Sequence, residues 1–171
     1  MKYIKIFIPA LLVAVLFTAC RPDDFKDIGE TRYIPGSLAG VWKLTKAVQK
    51  DEESARKGFP YSELDLTTVF PYTQYTLTLN ADNNQSPTTF TANAGGAPDI
   101  IGLTSGTWAV DAADAPSRID FKNGATVRSV TLGSYPVGGN EKLKFRIEKR
   151  DADPAANNKL LISYTYEFTK Q

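Results

Sequence analysis

Histidine is absent from this 171-residue chain, and cysteine occurs once, at Cys20. With no side chain that titrates near neutral pH, the common nucleophile and base pairs cannot be assembled. A single cysteine can close no disulfide within the chain, and with no histidine to join it the only metal ligands left are oxygens for a hard cation. Asp111 and Asp114, and Asp151 and Asp153, bring carboxylates close in sequence, but neither pair carries the glycine and closing glutamate of a calcium loop, so both read as turn residues. Neither sign of charge is in excess: 20 Lys and Arg stand against 19 Asp and Glu, which leaves no electrostatic case for nucleic acid. An apolar run over residues 6–17 falls well short of the roughly 20 residues that span a bilayer. These absences predict a non-enzymatic protein with no cofactor and no metal. Asp99 and Glu167 stand apart from the turn clusters, but sequence spacing does not set the separation that a two-carboxylate glycosidase needs.

What is present begins with Lys2 and Lys5, the apolar run, and the small residues Thr18 and Ala19, the layout of a signal peptide over residues 1–19. Removing it leaves 152 residues carrying 18 basic and 19 acidic side chains, enough for one domain with a sizeable core. Residues 20–36 are charged at their start and have no apolar period, which predicts a tether; the domain is expected over residues 37–171.

From Leu38 onward the pattern has period two. Leu160, Ile162, Tyr164, Tyr166 and Phe168 alternate with mostly polar residues, and Leu143, Phe145 and Ile147 alternate with Lys142, Lys144, Arg146 and Glu148, as half-buried strands require. Further strands are predicted at residues 41–49, 73–80, 88–92, 107–111, 118–122 and 126–132, eight in all, with turn chemistry such as Asn123-Gly124 between them. Residues 51–71 are too long for a hairpin and predict a flap or short helix over one end. Strands joined in sequence by turns predict an eight-stranded antiparallel up-and-down barrel, with an open sandwich as the alternative. Such a barrel can be packed solid or can hold one small ligand.

Three motifs carry resemblances. Leu16-Phe17-Thr18-Ala19-Cys20 resembles the lipobox of bacterial lipoproteins, which implies lipid on Cys20 and a membrane as partner. Arg21 follows Cys20, so the aspartate that retains enteric lipoproteins in the inner membrane is missing. Asp23 and Asp24 resemble the signal that sends Bacteroidetes lipoproteins to the cell surface, and read equally well as solvated linker charges. Gly40-Val41-Trp42, with a second instance at Gly106-Thr107-Trp108, looks like the opening of lipocalin-like barrels. Together with Asp65-Leu66-Thr67 leading into residues 75–80, the chain resembles the lipocalin-like lipoproteins of Bacteroidetes. The resemblance implies an outer-membrane protein, on the periplasmic face or the cell surface, and a structural role for Trp42 against a basic residue near the last strand.

Aromatic residues are the candidates for binding. Tyr164 and Tyr166 fall consecutively on an inward face, where hydroxyls need a polar destination; Tyr72, Tyr75 and Trp108 join them as candidates for a small or glycan-like ligand. Core packing is the plainer alternative for each. Tyr61 and Phe70 lie in the long connection and could close over a guest or pack on the barrel end. The function expected is ligand binding by an envelope lipoprotein; the alternative is an assembly subunit that holds an envelope protein partner through its outer surface.

Overall fold

Alternating apolar positions become an antiparallel sheet that closes on itself. The computed structural model describes residues 33–137, 141–153, 155 and 157–171. The expected signal peptide, Cys20, Asp23 and Asp24, and most of the expected tether lie outside the described residues. In chain order the elements are helix α1 (Pro35–Leu38), β1 (Gly40–Asp51), helix α2 (Glu52–Arg56), β2 (Glu63–Asp65), a 3-10 turn (Tyr72–Gln74), β3 (Thr76–Ala81), β4 (Pro87–Asn93), β5 (Ser105–Val110), β6 (Arg118–Asn123), β7 (Thr126–Ser134), β8 (Lys142–Arg150) and β9 (Leu160–Lys170).

Neighbours in sequence pair in order from β3 to β9, and β1 pairs with both β3 and β9. This is the expected closed eight-stranded up-and-down barrel, with β2 as an additional strand on β1. A bulge between Leu44 and Lys46 turns β1, so that its first residues face β3 and Val48, Gln49 and Lys50 face β2. The short helix expected after the first strand is α2. Asp51 caps it by accepting N–H bonds from Glu53 and Ser54, both at 2.9 Å, and Gly58, at φ +73°, follows its end. Two details differ from expectation. The second long strand begins at Thr76 rather than residue 73, because Tyr72–Gln74 coil into a 3-10 turn after Pro71. The three-residue β2 has no apolar alternation, being exposed throughout, and pairing alone defines it.

One end of the barrel is crossed by α1. Ile34 and Leu38 are buried there, and the Ile34 N–H bonds to the Ala113 carbonyl at 2.8 Å, so packing begins inside the stretch expected as tether. The middle is filled by a chain of rings from four strands: Phe90 to Phe121 at 4.8 Å between centroids, Phe121 to Phe145 at 6.2 Å, and Phe145 to Phe168 at 5.1 Å. Each edge or tilted contact adds about 0.5–1.5 kcal/mol beyond burial.

Both Gly-x-Trp motifs are the same local device. Trp42 Nε1 donates to the Leu38 carbonyl at 2.8 Å, and Trp108 Nε1 donates to the Asn80 carbonyl at 2.7 Å; both rings are buried. The glycine two residues earlier sits at positive φ, +138° at Gly40 and +152° at Gly106. A β-carbon at Gly40 would lie 2.4 Å from the Lys170 side chain, and one at Gly106 would lie 2.0 Å from the Lys122 carbonyl oxygen.

Candidate functional site

The end of the barrel opposite α1 is bounded by residues 52–75, 94–104, 124–125, 151–153 and 157–159. The long connection folds onto it: Leu66 is buried, its N–H bonds to the Ala47 carbonyl at 2.8 Å, and Thr67 Oγ1 accepts the Ala47 N–H at 3.0 Å. Phe59, Tyr61, Leu64, Val69 and Phe70 on the same connection remain exposed.

Four of the five aromatic residues singled out from sequence converge beneath this end. Tyr72, turned inward by the 3-10 turn, meets Tyr166 at 5.8 Å, and Phe70 covers Tyr72 edge-on at 5.8 Å. Tyr164 and Tyr166, two residues apart on β9, stack at 6.3 Å with planes 8° apart. Across the β1–β9 ladder from Tyr166 stands Ala47, whose small side chain leaves the ring room. Tyr75 packs edge-on against Phe168 at 6.1 Å. Trp108 stands apart from this group, making none of these ring contacts and directing its N–H to Asn80. Trp42 lies at the α1 end under the Lys170 ammonium, 5.4 Å from its ring centroid.

The Tyr75 hydroxyl is unusual. The residue is 1% exposed, and the hydroxyl oxygen has no hydrogen-bond partner. An unsatisfied buried hydroxyl costs about 1–3 kcal/mol, so it marks a place where a fold carries a polar group that packing does not use. Burial, and secondarily the nearby Asp99 carboxylate, holds its pKa well above the ordinary 10.0. Tyr166 is shifted the same way, by burial first and then by Tyr72. Both phenols therefore stay protonated at neutral pH and can donate.

Beside the tyrosines, a cleft of about 440 Å³ opens between β7 and β8 under the loop that joins β4 to β5. Its wall includes Ile100, Ile101, Val130 and Ile147, with Asp99, Arg128 and Lys149 at the charged positions. Sequence reading missed Arg128 and Lys149. Their signal was available: Arg128 stands opposite inward Phe121 and Lys149 opposite Ile162, so both are cations at apolar-face positions of otherwise regular alternation. Asp99 is occupied by its own loop, where Oδ1 accepts the N–H groups of Ile101 at 3.1 Å and Gly102 at 2.9 Å.

Glu167 lies on the outer face and pairs with Lys142 at 2.5 Å and Lys144 at 3.0 Å. These cations, and secondarily its partial burial, set its pKa, with a net lowering. Asp111 is bound to its own turn through Ser117 and Arg118. Among the described residues no three histidine, cysteine, aspartate or glutamate side chains converge as a metal site would require.

The fold and this end together define a closed eight-stranded β-barrel with one packed end and a cleft at the other. No family model matches the chain, and no curated protein is similar to it.

Proposed function

We propose that this protein is a non-enzymatic envelope lipoprotein whose lipocalin-like barrel binds a small or glycan-like ligand at the end covered by the long connection. The observation that carries this reading is the cleft of about 440 Å³ beside an inward tyrosine cluster, in a barrel whose other half is packed. Volumes of this size suit small-molecule sites, and apolar walls with a few convergent polar groups are their usual lining. The lipobox-like stretch ending at Cys20 supports anchorage to the outer membrane, on its periplasmic face or at the cell surface.

Two measurements test the reading. Native mass spectrometry of the protein taken from its own envelope is expected to find a small molecule that is released on unfolding; ligand-free protein under those conditions counts against binding. Cys20→Ser is expected to lose membrane association, and a variant that still fractionates with membranes refutes the lipid anchor.

A second reading has its own observation. Phe59, Tyr61, Leu64, Val69 and Phe70 expose apolar surface along one connection, which favours an assembly role with another envelope protein. Crosslinking in intact cells from a probe at Tyr61 is expected to capture a single protein partner if that role is the operative one, and none if the connection only covers the barrel end.

A further inference from the structure

The β7–β8 seam is closed only in part. Its pairing consists of Thr131 with Arg146, Leu132 with Phe145 and Ser134 with Lys144, whereas β7 goes on pairing with β6 as far as Thr126 and β8 with β9 as far as Arg150. Over Thr126–Val130 and Ile147–Arg150 the two strands therefore diverge, and the cleft occupies the gap between them. The walls of the gap divide by chemistry. Ile100, Ile101 and Val130 are buried and Ile147 is half-buried, which makes an apolar interior; Arg128 and Lys149 stand at the rim, one from each diverging strand.

Among the described residues neither cation has an ion-pair or hydrogen-bond partner. The one carboxylate lining the cleft, Asp99, is turned into its own loop. That loop runs beside Arg128 at Gly102, whose φ of +78° is a conformation that favours glycine and whose β-carbon position lies 3.4 Å from Arg128 Nε, an ordinary contact distance. The lining thus carries two cations and one anion, with the anion already accepting two N–H bonds.

We infer that the β7–β8 cleft takes an amphipathic anion, its carboxylate or phosphate held by Arg128 and Lys149 and its apolar body seated against Ile100, Ile101, Val130 and Ile147. The inference rests on the ligand-binding reading above and names the chemical class of that ligand. Guanidinium and ammonium together suit an oxyanion head, because charge-assisted hydrogen bonds are about twice as strong as neutral ones. Apolar walls behind the cations reject small hydrophilic anions, which gain nothing from them and lose their hydration.

A matched pair of dyes tests this with the purified protein: anilinonaphthalene sulfonate, and phenylnaphthylamine, which has the same rings without the sulfonate. The sulfonate dye is expected to bind about tenfold tighter than the neutral one. Arg128→Gln and Lys149→Gln are each expected to weaken the sulfonate dye about tenfold and to leave the neutral dye unchanged. Lys122→Gln removes the same charge from β6 away from the cleft lining and is expected to change neither. Displacement by dodecanoate or by dodecyl phosphate, with dodecanol as the neutral control, separates a carboxylate preference from a phosphate preference. Equal affinity for the two dyes, or an Arg128→Gln/Lys149→Gln protein that keeps its affinity for the sulfonate, overturns the anion inference while leaving an apolar cleft in place. If neither dye binds the folded protein, the ligand-binding reading falls and this inference falls with it.

Discussion

Trp42 and Lys170 stand opposite each other in the β1–β9 ladder, and the Lys170 ammonium lies over the Trp42 ring, 5.4 Å from its centroid. The contact joins the first barrel strand to the last, so it sits at the seam that closes the sheet. At a surface position it is worth about 0.5–1 kcal/mol, much less than the buried indole beneath it. Its larger consequence is spatial. A β-carbon at Gly40 would lie 2.4 Å from the lysine stem, so the stem must move before any other residue fits there, and the same ammonium reaches the Ser37 carbonyl at 3.3 Å.

The two motif glycines should differ in what they tolerate. Gly106→Ala puts a methyl into the Lys122 carbonyl, which is ladder backbone and cannot move aside, and is expected to cost about 3 kcal/mol or more. Gly40→Ala meets a flexible lysine stem that can swing into water, and is expected to cost about 1–2 kcal/mol. Urea denaturation of the two variants measures this ranking; equal costs would show that positive φ, rather than the close approach, governs both positions.

Tyr75→Phe removes a buried hydroxyl that has no partner, without changing the ring on Phe168. The ligand-free variant is expected to be as stable as the parent or about 1 kcal/mol more stable. A loss greater than that by thermal denaturation would mean the hydroxyl is bonded in solution. The raised pKa values of Tyr75 and Tyr166 carry a pH signature as well. Stability tied to their protonated forms is fully present below pH 10.0 and is lost as pH climbs beyond it. Absorbance titration should therefore find Tyr75 and Tyr166 among phenols that ionise only when the barrel unfolds, and normal titration of these two would contradict their burial.

Asp111 predicts an acid limb. Its carboxylate accepts from the Ser117 hydroxyl at 2.5 Å and from the backbone N–H groups of Ser117 and Arg118, and these bonds, the Ser117 hydroxyl foremost, hold its pKa to about 2 against an ordinary 3.8. For a lowered pKa, the stabilisation is present above the unfolded value and disappears as pH falls through the folded one. Asp111→Asn should be less stable than the parent near neutral pH, and the gap should shrink between pH 3.8 and about 2. A gap that stays constant across that window rules out the carboxylate as its origin.

Helix α2 is latched to β8 and β9 through Glu52, whose Oε1 accepts from Ser163 Oγ at 2.6 Å and Arg146 Nη2 at 2.8 Å. Ser163 is 1% exposed. Ser163→Ala is expected to cost about 1 kcal/mol. Glu52→Ala should in addition raise amide exchange over residues 52–58, since it removes the tie to β8 and leaves the helix held by the Asp51 cap, the Arg56 bonds to the Leu160 carbonyl and the Glu53–Lys159 ion pair. Unchanged exchange there would place the latch elsewhere.

Period two, turn residues and the ring positions made the barrel legible, because a strand's faces are set by neighbours in sequence. Lys149 and Arg128 were equally readable as cations on inward faces, yet whether an inward position near a strand end meets core or open cleft depends on where pairing stops. The 3-10 turn at Tyr72–Gln74 was not legible either: Thr73, Tyr75 and Leu77 alternate like a strand, and only burial of the Tyr72 ring beneath the long connection makes the coiled turn worthwhile.

The amino-acid order by itself determined the class of fold, the packed face of the eight barrel strands, the absence of histidine and disulfide chemistry, and the lone cysteine that resembles a lipid attachment point. Only the tertiary structure decided that Tyr72, Tyr75, Tyr164 and Tyr166 share one end while Trp108 does not, and that β7 parts from β8 to leave two cations beside an apolar gap. The reason is that local patterning constrains which way a side chain points, whereas closure of a barrel brings together residues 94 or more positions apart, such as Tyr72 and Tyr166, through strand register that no single segment encodes.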